Sequence, residues 1–171
     1  VVDVMNKIQS VRATARLNKH QLKSLSAVKQ RGRLKLNTQL ALIANPVAGG
    51  GKWKTYKEEI LSHLNSQFRV TIYETTPELN ATWQAHQAIK AGNEILIACG
   101  GDGTVTEVAT VTREHQKVLG IIPLGTANAL SQIVYGLRSK LAPITRACEV
   151  ICEQQYTPVD TAECNGKLML L

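Results

Sequence analysis

Residues 95–104 read ILIACGGDGT, a five-residue apolar run followed at once by two glycines, an aspartate and a third glycine. Five apolar residues suit a buried strand and fall far short of the roughly 18 that a membrane-spanning helix needs. Glycine lets the backbone turn sharply and approach a ligand closely, and successive amides of such a turn can hold anionic oxygens. The stretch therefore predicts a buried strand that ends in a phosphate-binding loop.

The same order of strand, glycine loop and helix occurs twice more in the chain. Leu40–Asn45 is an apolar run before the loop Gly49–Gly51, and Val118–Ile122 precedes a loop that contains Gly125. Strands that alternate with helices predict a parallel sheet, in which ligands bind beyond the carboxyl ends of the strands. We therefore expect an α/β fold of three layers, with a mostly parallel sheet flanked by helices and all three loops at one edge.

The remaining periodic segments predict further elements. Apolar residues spaced by threes and fours predict helices that begin near Trp53, Thr104 and Ala127, and alternation predicts a strand over Phe68–Glu74. We expect Trp83 to pack against the sheet from its helix. The other predicted elements are helices over Leu79–Ala91 and Leu141–Glu153, and short strands near Thr157–Glu163 and Lys167–Leu171.

Asp102 stands among the glycines of the central loop. A carboxylate beside phosphates needs a cation or a hydrogen-bond donor between them, so Asp102 suits Mg²⁺ or a nucleotide hydroxyl. Thr104 can cap the following helix or donate to a phosphate. The plainer alternative is a tight strand-to-helix turn with a capping aspartate.

Three segments resemble, in order and spacing, the motifs of the diacylglycerol/sphingosine kinase-like lipid kinases, the diacylglycerol kinase catalytic-domain family. Asn45–Lys52 is similar to the opening Asn-Pro-x-Ser-Gly-x-Gly-Lys, and Gly100–Thr104 to the signature that this family shares with NAD kinases and phosphofructokinase-like enzymes. Pro123–Asn128 is similar to the third motif, Pro-x-Gly-Thr-x-Asn. The resemblance covers about residues 40–164. Ala48 replaces the usual Ser, and Ala129 stands where many bacterial members have Asp.

The resemblance implies the N-terminal, nucleotide-binding lobe of a lipid kinase, with an NAD kinase/diacylglycerol kinase-like fold. It implies ATP and Mg²⁺ as cofactors, Asp102 as a possible Mg²⁺ ligand through the nucleotide, and diacylglycerol or a sphingoid-type lipid as acceptor. The catalytic base is expected in a following β-rich lobe, so that the chain by itself would be inactive. The nucleotide-binding positions implied are Asn45, Thr75, Gly100, Gly101, Asp102, Gly103, Thr104, Val105, Thr106, Glu107, Gly125 and Thr126.

Other functions remain open at this point. An NAD kinase-like enzyme explains Gly100–Thr104 but not the other two motifs, and a non-catalytic nucleotide- or membrane-binding module is also compatible with the fold. A P-loop is excluded, because that motif needs Gly five residues before Gly51 and Ser or Thr after Lys52. Those positions hold Pro46 and Trp53.

The net charge of +7 is concentrated at the N-terminus. Residues 1–36 hold nine of the twenty Lys and Arg but one acid, so this segment carries +8 and the remainder −1. We expect an amphipathic basic helix in an arm of residues 1–37, either contacting an anionic membrane or solvated, which vesicle co-sedimentation with and without the arm would decide. The lobe itself would span 38–156, and 157–171 would begin the crossing to the next lobe. A near-neutral lobe and an arm without interleaved aromatic residues argue against nucleic-acid binding.

The four cysteines form neither a disulfide framework nor a Cys-x2-Cys zinc pair, and no secretory signal is visible. We therefore expect a reducing, cytoplasmic setting, with peripheral membrane contact as an option.

Overall fold

The computed structural model describes residues 38–135, 144–154, 156, 158–159 and 161–170. The predicted basic helix of the arm lies outside the described residues, as do residues 141–143 of the predicted last helix and position 157. Among the helices that the structure describes, none is both long and apolar enough to cross a membrane.

The described residues form strands and helices in alternation, followed by a short hairpin. The strands are β1 Thr38–Ala44, β2 Phe68–Glu74, β3 Ile95–Gly100, β4 Val118–Pro123, β5 Ala162–Cys164 and β6 Lys167–Met169. The helices are α1 Lys52–Leu64, α2 Ala81–Lys90, α3 Asp102–Glu114, α4 Ala129–Val134 and α5 Ile144–Cys152.

Four strands form one parallel sheet in the order β2-β1-β3-β4, and β5 and β6 pair separately as an antiparallel hairpin. Leu42 in β1 lies opposite Ile72 on one side and Ile97 on the other. β2 lies on one side of β1 and β3 on the other, so the connection from β2 to β3 crosses β1, and the direction of strand order reverses between β1 and β3. In open α/β sheets this switch point leaves a crevice beyond the strand ends.

Both faces of the sheet are covered by helices. Leu40, Leu42 and Ile97 pack with α1 and α5 on one face, while Ile43 and Leu96 pack with α2 and α3 on the other. A strand buried on both faces gains from apolar residues at every position, which explains the unbroken apolar runs. The predicted three-layer α/β fold is confirmed.

All four cysteines are free thiols. Burial raises the pKa of Cys99 well above its ordinary value and that of Cys148 to about 12. Both thiols therefore stay protonated at physiological pH, which fits a packing role.

Three helices begin two residues from their predicted start. Helix α2 begins at Ala81 instead of Leu79, because Asn80 caps it by accepting from the Trp83 amide. Helix α3 begins at Asp102 instead of Thr104, because Gly101 is extended with φ −91° and ψ −177° and the chain enters the helix directly after it. Thr104 therefore does not cap α3. Helix α4 begins at Ala129, since Asn128 adopts a left-handed conformation with φ 51°.

The prediction that Trp83 packs against the sheet is wrong. Helix α2 buries a narrow face of Ala81, Gln84, Ala85 and Ala88, and Trp83 lies off that face with 44% of its surface exposed. Small side chains on the buried face let the helix approach the sheet closely, which leaves no room for an indole between them.

Side chains form hydrogen bonds with backbone groups of both outer strands of the sheet, β2 and β4. The Tyr135 hydroxyl accepts a hydrogen bond from the Ile121 amide of β4 at 3.2 Å and donates one to the Ile121 carbonyl. On β2, the Gln84 side-chain amide donates to the Glu74 carbonyl at 2.7 Å. Burial raises the pKa of Tyr135 to about 12, so its hydroxyl keeps the proton that it donates.

Candidate functional site

Three loops meet at the carboxyl ends of β1, β3 and β4. The Asn45 amide, after β1, donates to the Cys99 carbonyl at 2.9 Å. The Gly100 carbonyl, after β3, accepts from the amides of Leu124 at 2.9 Å and Gly125 at 3.2 Å. The loops that the sequence predicts at one edge are thus joined by backbone hydrogen bonds, and Gly100 lies at the centre.

The Asn45 side chain fixes the first loop against the second. Its Oδ1 accepts from the Val47 amide at 3.1 Å, and its Nδ2 donates to the Thr104 hydroxyl at 3.3 Å. Thr104 in turn packs over Gly100, where a β-carbon would lie 2.6 Å from the Thr104 Oγ1. Asn45 and Thr104 therefore hold the β1 and β3 loops in register.

Glycine is required where these loops touch. A β-carbon on Gly49, whose φ is +58°, would lie 2.0 Å from the Leu124 carbonyl oxygen. A β-carbon on Gly125 would lie 2.5 Å from the Gly101 Cα. Real β-carbons do not approach other atoms so closely, so both positions exclude any other residue without a shift of the backbone.

Lys52 also joins two of the loops. Its Nζ lies 3.4 Å from the Gly125 carbonyl oxygen, and its stem packs beside Gly49. The sequence places Lys52 at the start of α1 but gives no sign that it reaches a loop 73 residues away. The ammonium group brings a positive charge to the edge where the loops converge.

The N-terminus of α3 opens at this same edge. The Val105 amide makes the first helical hydrogen bond, to the Gly101 carbonyl at 3.0 Å, so the amides of Asp102, Gly103 and Thr104 have no intrahelical partner. Such amides and the helix dipole favour an anionic group.

Asp102 projects a carboxylate from the first turn of α3. The carboxylate has neither a hydrogen bond nor an ion pair with any residue that the structure describes. The described part of the chain contains no group of three or more His, Cys, Asp or Glu side chains that could hold a metal ion. Mg²⁺ commonly binds one or two carboxylates together with substrate phosphates, and a free Asp102 beside an anion site fits that donor set.

At several of the predicted nucleotide-binding positions, the side chain makes contacts with other residues of the chain. Glu107 accepts from the Thr82 amide at 3.1 Å and so caps α2, while the Thr106 hydroxyl donates to the Asp102 carbonyl at 2.9 Å. The Val105 side chain is buried in the core. Of the two remaining threonines, Thr126 is exposed on the β4 loop, and the Thr75 amide donates to the Ala44 carbonyl at 2.8 Å.

Asn128 completes the β4 loop, although the sequence analysis did not place it in the site. Its Nδ2 donates to the Gly125 carbonyl at 2.8 Å, and its backbone is left-handed, a conformation that asparagine tolerates better than most residues. Its buried Oδ1 has no hydrogen-bond partner among the residues that the structure describes. Asn128 is the last residue of the motif Pro123–Asn128, but the motif spacing alone does not reveal that its side chain bonds to the Gly125 carbonyl.

A charged cluster ties α1 to the end of β2, next to Thr75. Glu74 Oε1 accepts from the Trp53 indole at 2.8 Å and from Lys57 at 3.0 Å, and Lys57 lies 5.4 Å from the centre of the indole ring. The Trp53 hydrogen bond, followed by that of Lys57, lowers the pKa of the Glu74 carboxyl below its ordinary value of 4.5. The charged form of Glu74 is therefore the one that stabilises the fold.

We expect Glu74→Gln to lower the free energy of unfolding at neutral pH by about 0.2–1 kcal/mol, the range for exposed ion pairs. Because folding lowers this pKa, the contribution is complete above 4.5 and is lost as the pH falls through the folded-state value. Urea unfolding of both proteins over a pH series should show the difference shrinking below 4.5. Glu58→Gln, on the exposed face of α1, is the control, and equal pH dependence of both variants would contradict the prediction.

Comparison with known proteins identifies the family. The model of the diacylglycerol kinase catalytic domain matches residues 39–164, which include all three loops. The chain belongs to this family. The family's three motifs, taken as resemblances in the sequence, coincide with the three loops that the sheet brings together.

A relative and a solved structure that are both named diacylglycerol kinase agree with this assignment. A diacylglycerol kinase of Staphylococcus haemolyticus is 32% identical over 132 residues, 75% of this chain and 39% of the relative. An uncharacterised protein of Synechocystis is 40% identical over 141 residues, 76% of this chain and 32% of the relative. The crystal structure of a diacylglycerol kinase from Bacillus anthracis matches with a TM-score of 0.67 at 30% identity, over 81% of this chain and 47% of that one. The chain thus spans less than half the length of these relatives.

Proposed function

We propose that the described residues form the ATP-binding lobe of a lipid kinase, which transfers the γ-phosphate of ATP to the hydroxyl of diacylglycerol or a related lipid. The observation that carries the proposal is the convergence of three glycine loops at the switch point of the parallel sheet, where the Asn45 amide bonds to the Cys99 carbonyl and the Leu124 and Gly125 amides bond to the Gly100 carbonyl. The family membership and the relatives named diacylglycerol kinase support the choice of reaction.

The phosphates of ATP would lie at the N-terminus of α3. The amides of Asp102, Gly103 and Thr104, which have no partner within α3, supply donors. The helix dipole favours negative charge, and Lys52 adds a cation at the same edge. Gly101 and Gly125 are in close contact, and neither has a side chain. A ligand can therefore approach the backbone of both loops directly. This arrangement positions a polyphosphate, which is the main task of a protein in phosphoryl transfer.

Mg²⁺ would be held by Asp102 together with the phosphates, and when bound it would neutralise charge on the transferred group. In the reaction the acceptor oxygen bonds to the γ-phosphorus, the bond to the β,γ-bridging oxygen breaks, ADP leaves, and the hydroxyl proton passes to a base. The described residues contribute to this step by fixing the nucleotide. Ala129 offers no carboxylate at the position where many bacterial family members have Asp, which makes Asp102 the acidic group at these loops.

Calorimetric titration of the 171-residue chain with ATP–Mg²⁺ and with NAD tests the nucleotide assignment. We expect measurable ATP–Mg²⁺ binding and at least tenfold weaker binding of NAD, because three loops, and not the shared central motif alone, define the site. The absence of ATP binding would refute the proposal, and preferential NAD binding would support an NAD kinase-like enzyme instead. Transfer of labelled phosphate from ATP to dispersed diacylglycerol, by the protein in which these residues occur, separates a kinase from a non-catalytic nucleotide-binding module.

A further inference from the structure

Asn128 connects the first turn of α4 to the β4 loop. Its backbone carbonyl accepts from the Ser131 hydroxyl at 2.9 Å and from the Gln132 amide at 3.2 Å, which fixes the residue to the helix. Its Nδ2 donates to the Gly125 carbonyl at 2.8 Å. Asn128 is buried, so this short hydrogen bond is shielded from water. Helix α4 therefore supports the Gly125 peptide through the Asn128 side chain.

The Gly125 carbonyl oxygen has a second donor, Lys52. The Lys52 Nζ lies 3.4 Å from this oxygen in a partly buried position. An ammonium group has three donors, and the Lys52 ammonium makes no other hydrogen bond or ion pair with the residues that the structure describes. Two of its donors can therefore bind an anion at the edge where the loops converge.

The Asn128 side chain also has an unfavourable feature. Its Oδ1 is buried and has no hydrogen-bond partner in the described part of the chain, which destabilises the fold. Glycine would adopt the left-handed backbone of this position, at φ 51°, without any buried acceptor. What asparagine provides and glycine lacks is the Nδ2 donor to the Gly125 carbonyl. The contribution of Asn128 therefore lies in holding that carbonyl.

We infer that Asn128 is a positioning residue for the nucleotide. It fixes the Gly125 carbonyl, and this carbonyl holds the Lys52 ammonium at the edge where the phosphates of ATP would lie. The inference rests on the proposed function and adds a residue that acts on the phosphate site without touching the ligand. Without the Nδ2 hydrogen bond, the Gly125 peptide rotates more easily, because glycine has no β-carbon to restrict it. The ammonium then loses its fixed acceptor, and ordering its long side chain on ATP binding costs more free energy.

A double-mutant cycle of Lys52 and Asn128 tests the inference. Calorimetry measures the ATP–Mg²⁺ affinity of the 171-residue chain, of Lys52→Met, of Asn128→Gly and of the double variant. Glycine suits φ 51°, so Asn128→Gly removes the amide group while the backbone can stay in place. We expect each single substitution to weaken binding about fivefold. Once Lys52 is replaced, Asn128→Gly should have an effect of less than about twofold, because the effects of interacting residues are not additive.

Lys54→Met is the matched control for the cycle. Lys54 is exposed on α1, two residues after Lys52, and its side chain has no partner among the described residues. In this background Asn128→Gly should still weaken ATP binding about fivefold, since the effects of independent sites add. If Asn128 only stabilised the loop, its replacement would have the same effect with lysine or methionine at position 52.

A second variant, Asn128→Ala, guards against loss of the fold. Alanine also lacks the amide group but restricts the backbone more than glycine does, and thermal unfolding shows which variants are folded. The positioning role would be overturned by equal effects of the Asn128 substitutions with and without Lys52, by unchanged ATP affinity, or by unfolding of both variants. If the unmodified chain bound no ATP, the proposed function itself would be refuted.

Discussion

Gly49→Ala is expected to lower the affinity for ATP–Mg²⁺ at least tenfold, about 1.4 kcal/mol, and to destabilise the fold. The new β-carbon would lie 2.0 Å from the Leu124 carbonyl oxygen, so the β1 and β4 loops must move apart. The left-handed backbone at Gly49 adds about 1–2 kcal/mol for any residue with a β-carbon. Titration calorimetry and thermal unfolding measure the two effects.

Gly50→Ala is the control for this prediction. Gly50 is also left-handed, with φ +78°, but a β-carbon there would meet no atom within 4 Å. The control variant should therefore show the backbone cost of about 1–2 kcal/mol without the separation of the loops. The prediction would be contradicted if Gly49→Ala and Gly50→Ala had the same melting temperature and the same ATP affinity.

Asp102→Asn is expected to change ATP binding in opposite directions with and without Mg²⁺. With Mg²⁺ the affinity should fall at least tenfold, because the carboxylate that would hold the ion is gone. Without Mg²⁺ the affinity should stay equal or rise, since a bare carboxylate repels the phosphates. Calorimetric titrations with ATP, in excess Mg²⁺ and in a chelator, measure this reversal.

The fold should tolerate the Asp102 variant. Asp102 has no side-chain partner in the described residues, so only its favourable interaction with the α3 N-terminus is lost, about 0.3–1 kcal/mol. Glu114→Gln, at the opposite end of α3, removes the same charge far from the loops and should leave ATP binding unchanged. Equal Mg²⁺ dependence of Asp102→Asn and the unmodified chain would exclude Asp102 as a ligand of the nucleotide-bound ion.

The sheet and its loops could be predicted from the sequence because their signals are local. An apolar run such as Ile95–Cys99 marks a doubly buried strand, and the glycines that follow it mark the turn. Alternation of such strands with helices then determines that the sheet is parallel and that the loops share an edge. The boundary of α3 was missed by two residues, because extended Gly101 does not differ in sequence from a glycine inside a turn.

The contacts between the loops could not be predicted, because they join residues far apart in the chain. Asn45 meets Thr104 across 59 residues and Lys52 meets Gly125 across 73, and neither pair has a spacing that a sequence pattern could reveal. Glu107 illustrates the same limit. Its place in a motif predicts a ligand contact, but nothing in the sequence indicates that its carboxylate caps α2 at the Thr82 amide.

The hydrogen bonds of Tyr135 and Gln84 at the two outer strands bear on self-association. A strand added next to the end of β4 would need the amide and carbonyl of Ile121, and one added next to the end of β2 would need the Glu74 carbonyl. Intramolecular partners already bind these groups. Pro123, also on β4, has no amide hydrogen to offer a neighbour. A strand added along the carboxyl-terminal part of β2 or β4, next to the three glycine loops, would therefore have to displace these side-chain contacts.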